Sequence, residues 1–142
     1  MSVFYLALRC KKKKNKKYNV KNDYFDKNSL HLHIPAGAVP KDGPSAGITM
    51  ATAILSAVTK IPVNSSVAMT GEITLRGRVL PIGGLKEKLL AAKTLGIKKV
   101  LVPDRNRANV EEFDAEITEN LELVYVKDMQ EVLEHALVQK QA

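Results

Sequence analysis

The sequence lacks the features that mark disulfide-stapled, zinc-clustering, exported and membrane-spanning proteins. Its 142 residues include a single cysteine, Cys10, which excludes an internal disulfide and a cysteine-rich zinc site. The opening apolar run, VFYLAL at residues 3–8, is too short to cross a bilayer. Positive charges follow this run, whereas in a signal peptide they precede the apolar region. The sequence therefore predicts neither export nor membrane insertion.

The excess of positive charge is confined to one end of the chain. The formal net charge is +7, and all of it comes from residues 1–28, so residues 29–142 are neutral overall. The lysine-rich run at residues 11–17 is typical of a solvated helix face or a flexible arm, with nucleic-acid binding as the alternative. There is no internal repeat and no linker rich in proline, glycine or serine. We therefore predict a Lys-rich N-terminal helix or arm over residues 1–28 and one domain over residues 29–142.

Strand and helix patterns alternate along the chain, which predicts an α+β domain of the layered α/β kind. The predicted helices and strands are a helix at 3–18, a strand at 29–34, a helix from Ser45 to Lys60, a hairpin turning at 76–78, a helix from Leu85 to about Gly96, strands at 98–103 and 121–126 with a short helix or turn at 106–113 between them, and a final helix capped by Asp128.

The stretch PKDGPSAGITMATAILSAVTK, at residues 40–60, predicts a turn that presents a serine at the start of a buried helix. The first turn of a helix has amide groups without intrahelical partners and carries partial positive charge. An oxyanion that formed beside Ser45 would meet these donors, so Ser45 is a candidate nucleophile. The alternative is an ordinary N-cap, whose hydroxyl accepts a backbone N–H and adds about 1 kcal/mol of stability.

The helix that starts at Leu85 supplies a candidate base for this serine. At 100° per residue, Lys88 falls inside the apolar stripe formed by Leu85, Leu89 and Ala92, whereas Lys86 falls on the polar side. An apolar setting penalises the ammonium cation and lowers the pKa of a lysine, which favours the neutral amine that a general base requires. The alternative is a lysine whose stem packs while its ammonium reaches water.

Two histidines, His31 and His33, project from the same face of the predicted strand at 29–34. They are candidate metal ligands or bases, although the only other histidine, His135, lies in the final helix. The alternative is a pair of histidines on a semi-exposed strand face with no role in chemistry.

Three longer motifs resemble one protein family. They are PKDGPSAG at 40–47, MTGEITLRGRVLPIGG at 69–84 and LKEKLLAAK at 85–93, and together they are similar to the proteolytic domain of the ATP-dependent Lon proteases with a PKDGPSAG serine motif. The resemblance runs without an obvious gap from about residue 29 to residue 138. It implies the Lon proteolytic-domain fold, a mixed sheet packed with helices, and we expect the N-terminal strands of that fold to be missing here.

The resemblance also implies the chemistry. It indicates a serine endopeptidase with a Ser-Lys dyad, formed by Ser45 in PKDGPSAG and Lys88 in GGLKEK. It implies that Thr70 in MTGE hydrogen-bonds and orients the lysine, and that Asp42 shapes the site beside the nucleophile. It gives the two strand histidines no catalytic duty and implies no metal or cofactor in this chain.

A Lon protease also carries an ATPase module, yet this sequence has no Gly-x-x-x-x-Gly-Lys-Ser/Thr phosphate loop. The resemblance therefore implies that ATP, magnesium and substrate unfolding belong to a module absent from this chain. The expected partners are unfolded or damaged polypeptides and further copies in a six-membered ring, with neither a membrane nor nucleic acid. The expected compartment is the cytoplasm, with the mitochondrial matrix as alternative. Two alternative functions are a dormant, non-catalytic Lon-like assembly domain and a nucleic-acid-binding module built on the lysine run.

Overall fold

Helices alternate with the strands of a small parallel sheet. The computed structural model describes residue 20, residues 23–33 and residues 44–138. The strands are β1 (Val67–Met69), β2 (Glu72–Ile73), β3 (Val79–Leu80), β4 (Lys99–Pro103) and β5 (Glu122–Val126). The α-helices are α1 (Tyr24–Lys27), α2 (Gly47–Thr59), α3 (Leu85–Thr94), α4 (Arg107–Glu111), α5 (Ala115–Thr118) and α6 (Met129–Ala136), and a 3-10 turn, Asp104–Asn106, precedes α4. No helix in these ranges has the length and apolar character needed to cross a membrane.

The central strand of the parallel sheet is β4, which pairs with β1 on one side and β5 on the other. Its sequence, KVLVP, is buried from Val100 to Pro103, as expected for a parallel strand covered on both faces. The predicted strands at 98–103 and 121–126 are confirmed.

The side chains of β4 alternate between two hydrophobic clusters, one on each face of the sheet. Leu101 joins a cluster that includes Ile48 of α2 and residues of α6. Val100 and Val102 join a second cluster that includes Leu89 of α3. The helix that follows Ser45 and the helix that carries Lys88 therefore pack on opposite faces of the same sheet.

The predicted hairpin is confirmed and forms a sheet of its own. Strands β2 and β3 pair antiparallel, with Glu72 opposite Leu80, and the turn closes where the Thr74 amide donates to the Arg78 carbonyl at 3.0 Å. Gly77 in this turn has φ of +83°, a backbone conformation that glycine adopts without steric cost. The parallel and antiparallel pairings predicted for a mixed sheet are thus divided between two sheets.

The predicted helix ends agree with the structure where local chemistry sets them. Helix α3 is followed by Gly96 in the left-handed conformation, with φ of +72°. Helix α6 begins after Asp128, whose carboxylate accepts hydrogen bonds from the amides of Gln130 and Glu131.

The strand predicted at 29–34 is wrong for residues 29–33, which form no regular secondary structure. Leu32, expected on the buried face, is 49% exposed, and both His31 and His33 are exposed. A strand is stabilised by the strand beside it, and within the described residues no strand pairs with this segment. The helix predicted at 3–18 lies outside the described residues.

Candidate active site

Ser45 lies two residues before the first residue of α2 and is half-buried. The N-cap of α2 is Ala46, and this helix has no side-chain cap hydrogen bond. The alternative interpretation of Ser45 as an N-cap is therefore wrong, because the helix begins one residue later than that role requires. Among the described residues, no side chain or backbone group hydrogen-bonds the Ser45 hydroxyl.

Hydrogen bonds hold the backbone of Ser45 against the two residues that follow β1. The Ser45 carbonyl accepts hydrogen bonds from the Gly71 amide at 2.8 Å and from the Thr70 hydroxyl at 3.2 Å. In return, the Ile48 amide donates to the Gly71 carbonyl at 3.1 Å. These bonds fix the position of the serine relative to the parallel sheet.

Two glycines permit this close approach. A Cβ atom on Gly47 would lie 2.9 Å from the backbone nitrogen of Ile73, and one on Gly71 would lie 2.9 Å from Cγ1 of Val79. Both distances are shorter than real Cβ contacts. The start of α2 can therefore pack against the hairpin strands only because these positions have no side chain.

Fewer backbone amides at the start of α2 remain as donors for an oxyanion than the sequence predicts. The Gly47 amide already donates to the Pro44 carbonyl at 3.0 Å, and the Ile48 amide donates to Gly71. Within the described residues, the amides of Ser45 and Ala46 donate to no backbone carbonyl. These two amides are the candidate donors that remain beside the serine.

Lys88 lies one turn into α3, half-buried, with the buried Leu89 beside it. Its ammonium turns back along the helix and donates to the carbonyls of Gly83 at 3.2 Å and Gly84 at 3.4 Å. The side chain is therefore held against the loop that precedes its own helix. This arrangement lies between the predicted apolar burial and the alternative of an ammonium in open water.

The other lysines of α3 differ from Lys88 and from each other. Lys86 is exposed. Lys93 is half-buried, and its ammonium donates to the Glu116 carbonyl in α5. Lys86 is therefore the better control for substitutions at Lys88, since Lys93 holds two helices together.

We call residues 83–84, whose carbonyls hold the Lys88 ammonium, the lysine loop. We call the residues that directly follow the parallel strands the carboxyl edge. Hydrogen bonds join the carboxyl edge to the Ser45 backbone and to the residue just before the lysine loop. After β1 these are Thr70 and Gly71, which hold the Ser45 backbone. After β4 they are residues 104–106, and the side chain of Asn106 binds the backbone of Ile82, next to the loop glycines that hold the Lys88 ammonium. Because β1 and β4 are neighbours in the sheet, the two anchoring points follow neighbouring strands. The carboxyl edge of a parallel sheet is where α/β proteins commonly place their functional groups.

Sequence reasoning missed Asn106, which is 2% exposed. An asparagine beside a short helical pattern is typical of a helix cap or a turn, and its true partner, Ile82, lies 24 residues away. Nearby, burial raises the pKa of Tyr125 while the cation of Arg107, 3.9 Å from the centre of its ring, opposes that shift.

The structure brings some of the predicted site residues together and not others. Thr70 hydrogen-bonds the Ser45 carbonyl, whereas the partner implied for it was the Lys88 ammonium. Ser45 and Lys88 share no hydrogen bond, because the Lys88 ammonium donates to the two loop glycines. Asp42 lies outside the described residues, as does the lysine run at 11–17. Within the part of the chain that is described, no three His, Cys, Asp or Glu side chains lie close enough together to hold a metal ion.

Comparison with known protein families shows to which family the chain belongs. Residues 3–139 match the family model of the Lon protease (S16) C-terminal proteolytic domain. The chain belongs to this family. The match confirms the fold expected from the motifs and extends on the N-terminal side of residue 29. The predicted boundary at residue 28, between an N-terminal helix or arm and the domain, stays a prediction.

The Lon family includes close relatives of this chain. It is 67% identical to a Lon protease of Lachnoclostridium phytofermentans over 124 residues, covering 87% of this chain and 15% of that protein. It is 59% identical to a Lon protease of Bacillus thuringiensis over 116 residues, covering 82% of this chain and 15% of that protein. It is 56% identical to a Lon protease of Buchnera aphidicola over 131 residues, covering 92% of this chain and 17% of that protein. The chain thus spans about one sixth of the length of these Lon relatives and matches their proteolytic domain.

Proposed function

We propose that this chain is a serine endopeptidase domain in which Ser45 is the nucleophile and Lys88 is the general base. The observation that carries the proposal is the anchoring of both groups to the carboxyl edge: Ser45 through Thr70 and Gly71 after β1, and the lysine loop through Asn106 after β4. Membership of a proteolytic-domain family supports the same reaction class.

The proposed reaction starts with Lys88 as a neutral amine, which takes the hydroxyl proton of Ser45 while the serine oxygen attacks the carbonyl carbon of a peptide bond. The amides of Ser45 and Ala46 donate to the oxyanion that forms. The intermediate collapses with cleavage of the C–N bond, and the Lys88 ammonium protonates the leaving amine. A water molecule, deprotonated by Lys88, then attacks the serine ester. The ester C–O bond breaks, the acid product leaves, and the Lys88 ammonium returns the proton to the Ser45 oxygen.

The reaction requires the Lys88 side-chain nitrogen to leave the two loop carbonyls and to reach the serine hydroxyl as a neutral amine. Catalytic hydrogen bonds often become short only when substrate binds. Thr70 is suited to guide this movement, since its hydroxyl donates to the Ser45 carbonyl and retains lone pairs that can accept from the lysine. The role proposed for Thr70 is therefore to connect the two partners of the dyad.

We further propose that the substrates are unfolded polypeptides and that ATP-driven unfolding comes from a separate module. The chain covers only about 15% of the Lachnoclostridium and Bacillus relatives, which leaves room for such a module in proteins of that length. Assembly into a six-membered ring in the cytoplasm belongs to the same proposal.

The test is cleavage of an unstructured fluorogenic polypeptide by the purified chain. Ser45→Ala and Lys88→Met, which keeps the packed stem and removes the amine, are each expected to lower kcat about a thousandfold or more. Ser65→Ala and Lys86→Ala, at exposed positions, are the matched controls and are expected to keep full activity. Undiminished cleavage by the Ser45→Ala variant would contradict the proposal.

One observation favours a second candidate, a dormant assembly domain. The Lys88 ammonium donates to Gly83 and Gly84 and makes no hydrogen bond to Ser45. A wild-type chain that is folded and assembles into rings, yet cleaves no polypeptide, would support this candidate over the peptidase.

A further inference from the structure

Asn106 is a buried asparagine whose side chain binds a backbone segment far from it in sequence. Its Oδ1 accepts a hydrogen bond from the Ile82 amide at 3.0 Å, and its Nδ2 donates to the Ile82 carbonyl at 2.9 Å. The second hydrogen of the same amide group donates to Oδ1 of Asn109 at 3.0 Å. The side chain thus gives Ile82 the two bonds that a neighbouring strand would give, and both of its own donors are used.

Ile82 is the last residue before the loop that holds the lysine. The carbonyls of the next two residues, Gly83 and Gly84, accept the hydrogen bonds of the Lys88 ammonium. Two successive glycines have wide conformational freedom, and the space beside Gly83 is open. The loop therefore depends on its ends for a fixed shape, and one end is the pair of bonds to Asn106.

The other side of this connection is rigid. Asn106 follows β4, the buried central strand of the parallel sheet. The next residue, Arg107, lies over the ring of Tyr125 at 3.9 Å and pairs with Asp104 at 3.3 Å. A group held in this way can fix a loop that has little packing of its own.

We propose that Asn106 is a positioning residue for Lys88: its side-chain amide fixes Ile82, and through Ile82 it places the glycine carbonyls that hold the lysine amine. The proposal rests on the general-base role proposed for Lys88. A purely structural asparagine would stabilise the fold without changing the surroundings of Lys88 in the folded protein, so the two roles differ in a measurable way.

The first test observes Lys88 directly by NMR, in the 142-residue chain labelled with ¹³C at the lysine ε carbons. The Lys88 signal is assigned by its disappearance in Lys88→Met. In Asn106→Asp, which keeps the side-chain shape but places an oxygen against the Ile82 carbonyl, the Lys88 signal is expected to move. A folded Asn106→Asp protein with an unmoved Lys88 signal would overturn the proposal.

The matched control is Asn109→Ala. It removes one partner of the same amide group and leaves both bonds to Ile82 in place. The Lys88 signal is expected to stay where it is in the unsubstituted chain, and a shift as large as that of Asn106→Asp would count against the specific path through Ile82.

The kinetic test separates positioning from stability. Asn106→Asp is expected to lower kcat roughly tenfold to a hundredfold with little change in KM, because a small displacement of a catalytic group costs this much. Val132→Ala creates a cavity in the buried core on the other face of the sheet. This variant is expected to be less stable than the unsubstituted chain but to have the same kcat. An equal loss of kcat in both variants, or a change in KM alone, would refute the proposal.

Failure of the proposed function is distinguishable from failure of this inference. If the unsubstituted chain cleaves nothing, or if Lys88→Met stays active, the base role fails, and the Lys88 signal alone then decides whether Asn106 positions the lysine. If Asn106→Asp does not fold, amide hydrogen exchange in the unsubstituted chain decides. The Ile82 amide is expected to exchange as slowly as the amides of β4, and rapid exchange would show that Asn106 does not hold the loop.

Discussion

At the scale of single residues, the candidate site depends on a few backbone groups more than on its named side chains. Ser45 and Lys88 were predictable from the sequence, because a serine at a helix start and a lysine in an apolar stripe are local patterns, and the family motifs contain both. Their actual hydrogen-bond partners were not predictable. Thr70 binds the carbonyl of Ser45, 25 residues earlier, and nothing in the local sequence of either residue encodes that pairing.

Thr70→Val is expected to lower peptidase activity roughly tenfold, because it removes the hydroxyl bond to the Ser45 carbonyl while the volume of the side chain is kept. The matched control is Thr52→Val, since Thr52 is also buried and its hydroxyl donates only to the Ile48 carbonyl in its own helix. Each variant is expected to lose about 1 kcal/mol of stability by urea unfolding. Equal activity in the two variants would show that Thr70 acts on stability alone.

At the scale of helices and strands, elements with local signals were predicted well. The hairpin, α3 and α6 have turn glycines or a capping carboxylate at their ends, and the structure has them where the sequence indicates. The strand predicted at 29–34 is absent from residues 29–33, because its only signal was alternation of apolar side chains, whereas a strand also needs a neighbour to pair with. The contact between α2 and the hairpin could not be predicted from the sequence either. It depends on two glycines whose sequence context is that of ordinary turn residues.

Gly47→Ala tests that contact, because two effects predict opposite results. Helix propensity favours alanine over glycine by about 1 kcal/mol. The new Cβ would lie 2.9 Å from the backbone nitrogen of Ile73, which cannot rotate away. We expect the contact to dominate and the free energy of unfolding to fall by about 1–3 kcal/mol, as measured by urea denaturation.

The matched control for Gly47→Ala is Gly83→Ala. Gly83 has no atom within 4 Å of an added Cβ, and its φ lies outside the left-handed region. This substitution is expected to leave stability within about 0.5 kcal/mol of the unsubstituted chain. A Gly47→Ala protein as stable as Gly83→Ala would mean that the start of α2 can move away from β2 at no cost.

At the scale of the whole molecule, the sheet explains how two residues 43 positions apart in sequence come to be candidates for one site. Helix α2 packs on one face of the parallel sheet and α3 on the other. Each approaches the carboxyl edge, and each is tied there by hydrogen bonds to residues that follow neighbouring strands. The alternation of strands and helices predicted this layering in outline. The side on which each helix packs follows from the three-dimensional connections and not from any local pattern.

The proposed function requires Lys88 to activate Ser45 as a nucleophile. Its most direct test is the location, by peptide mass spectrometry, of the adduct formed with a peptidyl β-lactone, which acylates an activated serine. We expect an adduct on Ser45 in the unsubstituted chain and in Lys86→Ala, and its loss in both Ser45→Ala and Lys88→Met. An adduct on a different residue, or undiminished labelling of Ser45 in Lys88→Met, would show that Lys88 does not activate Ser45.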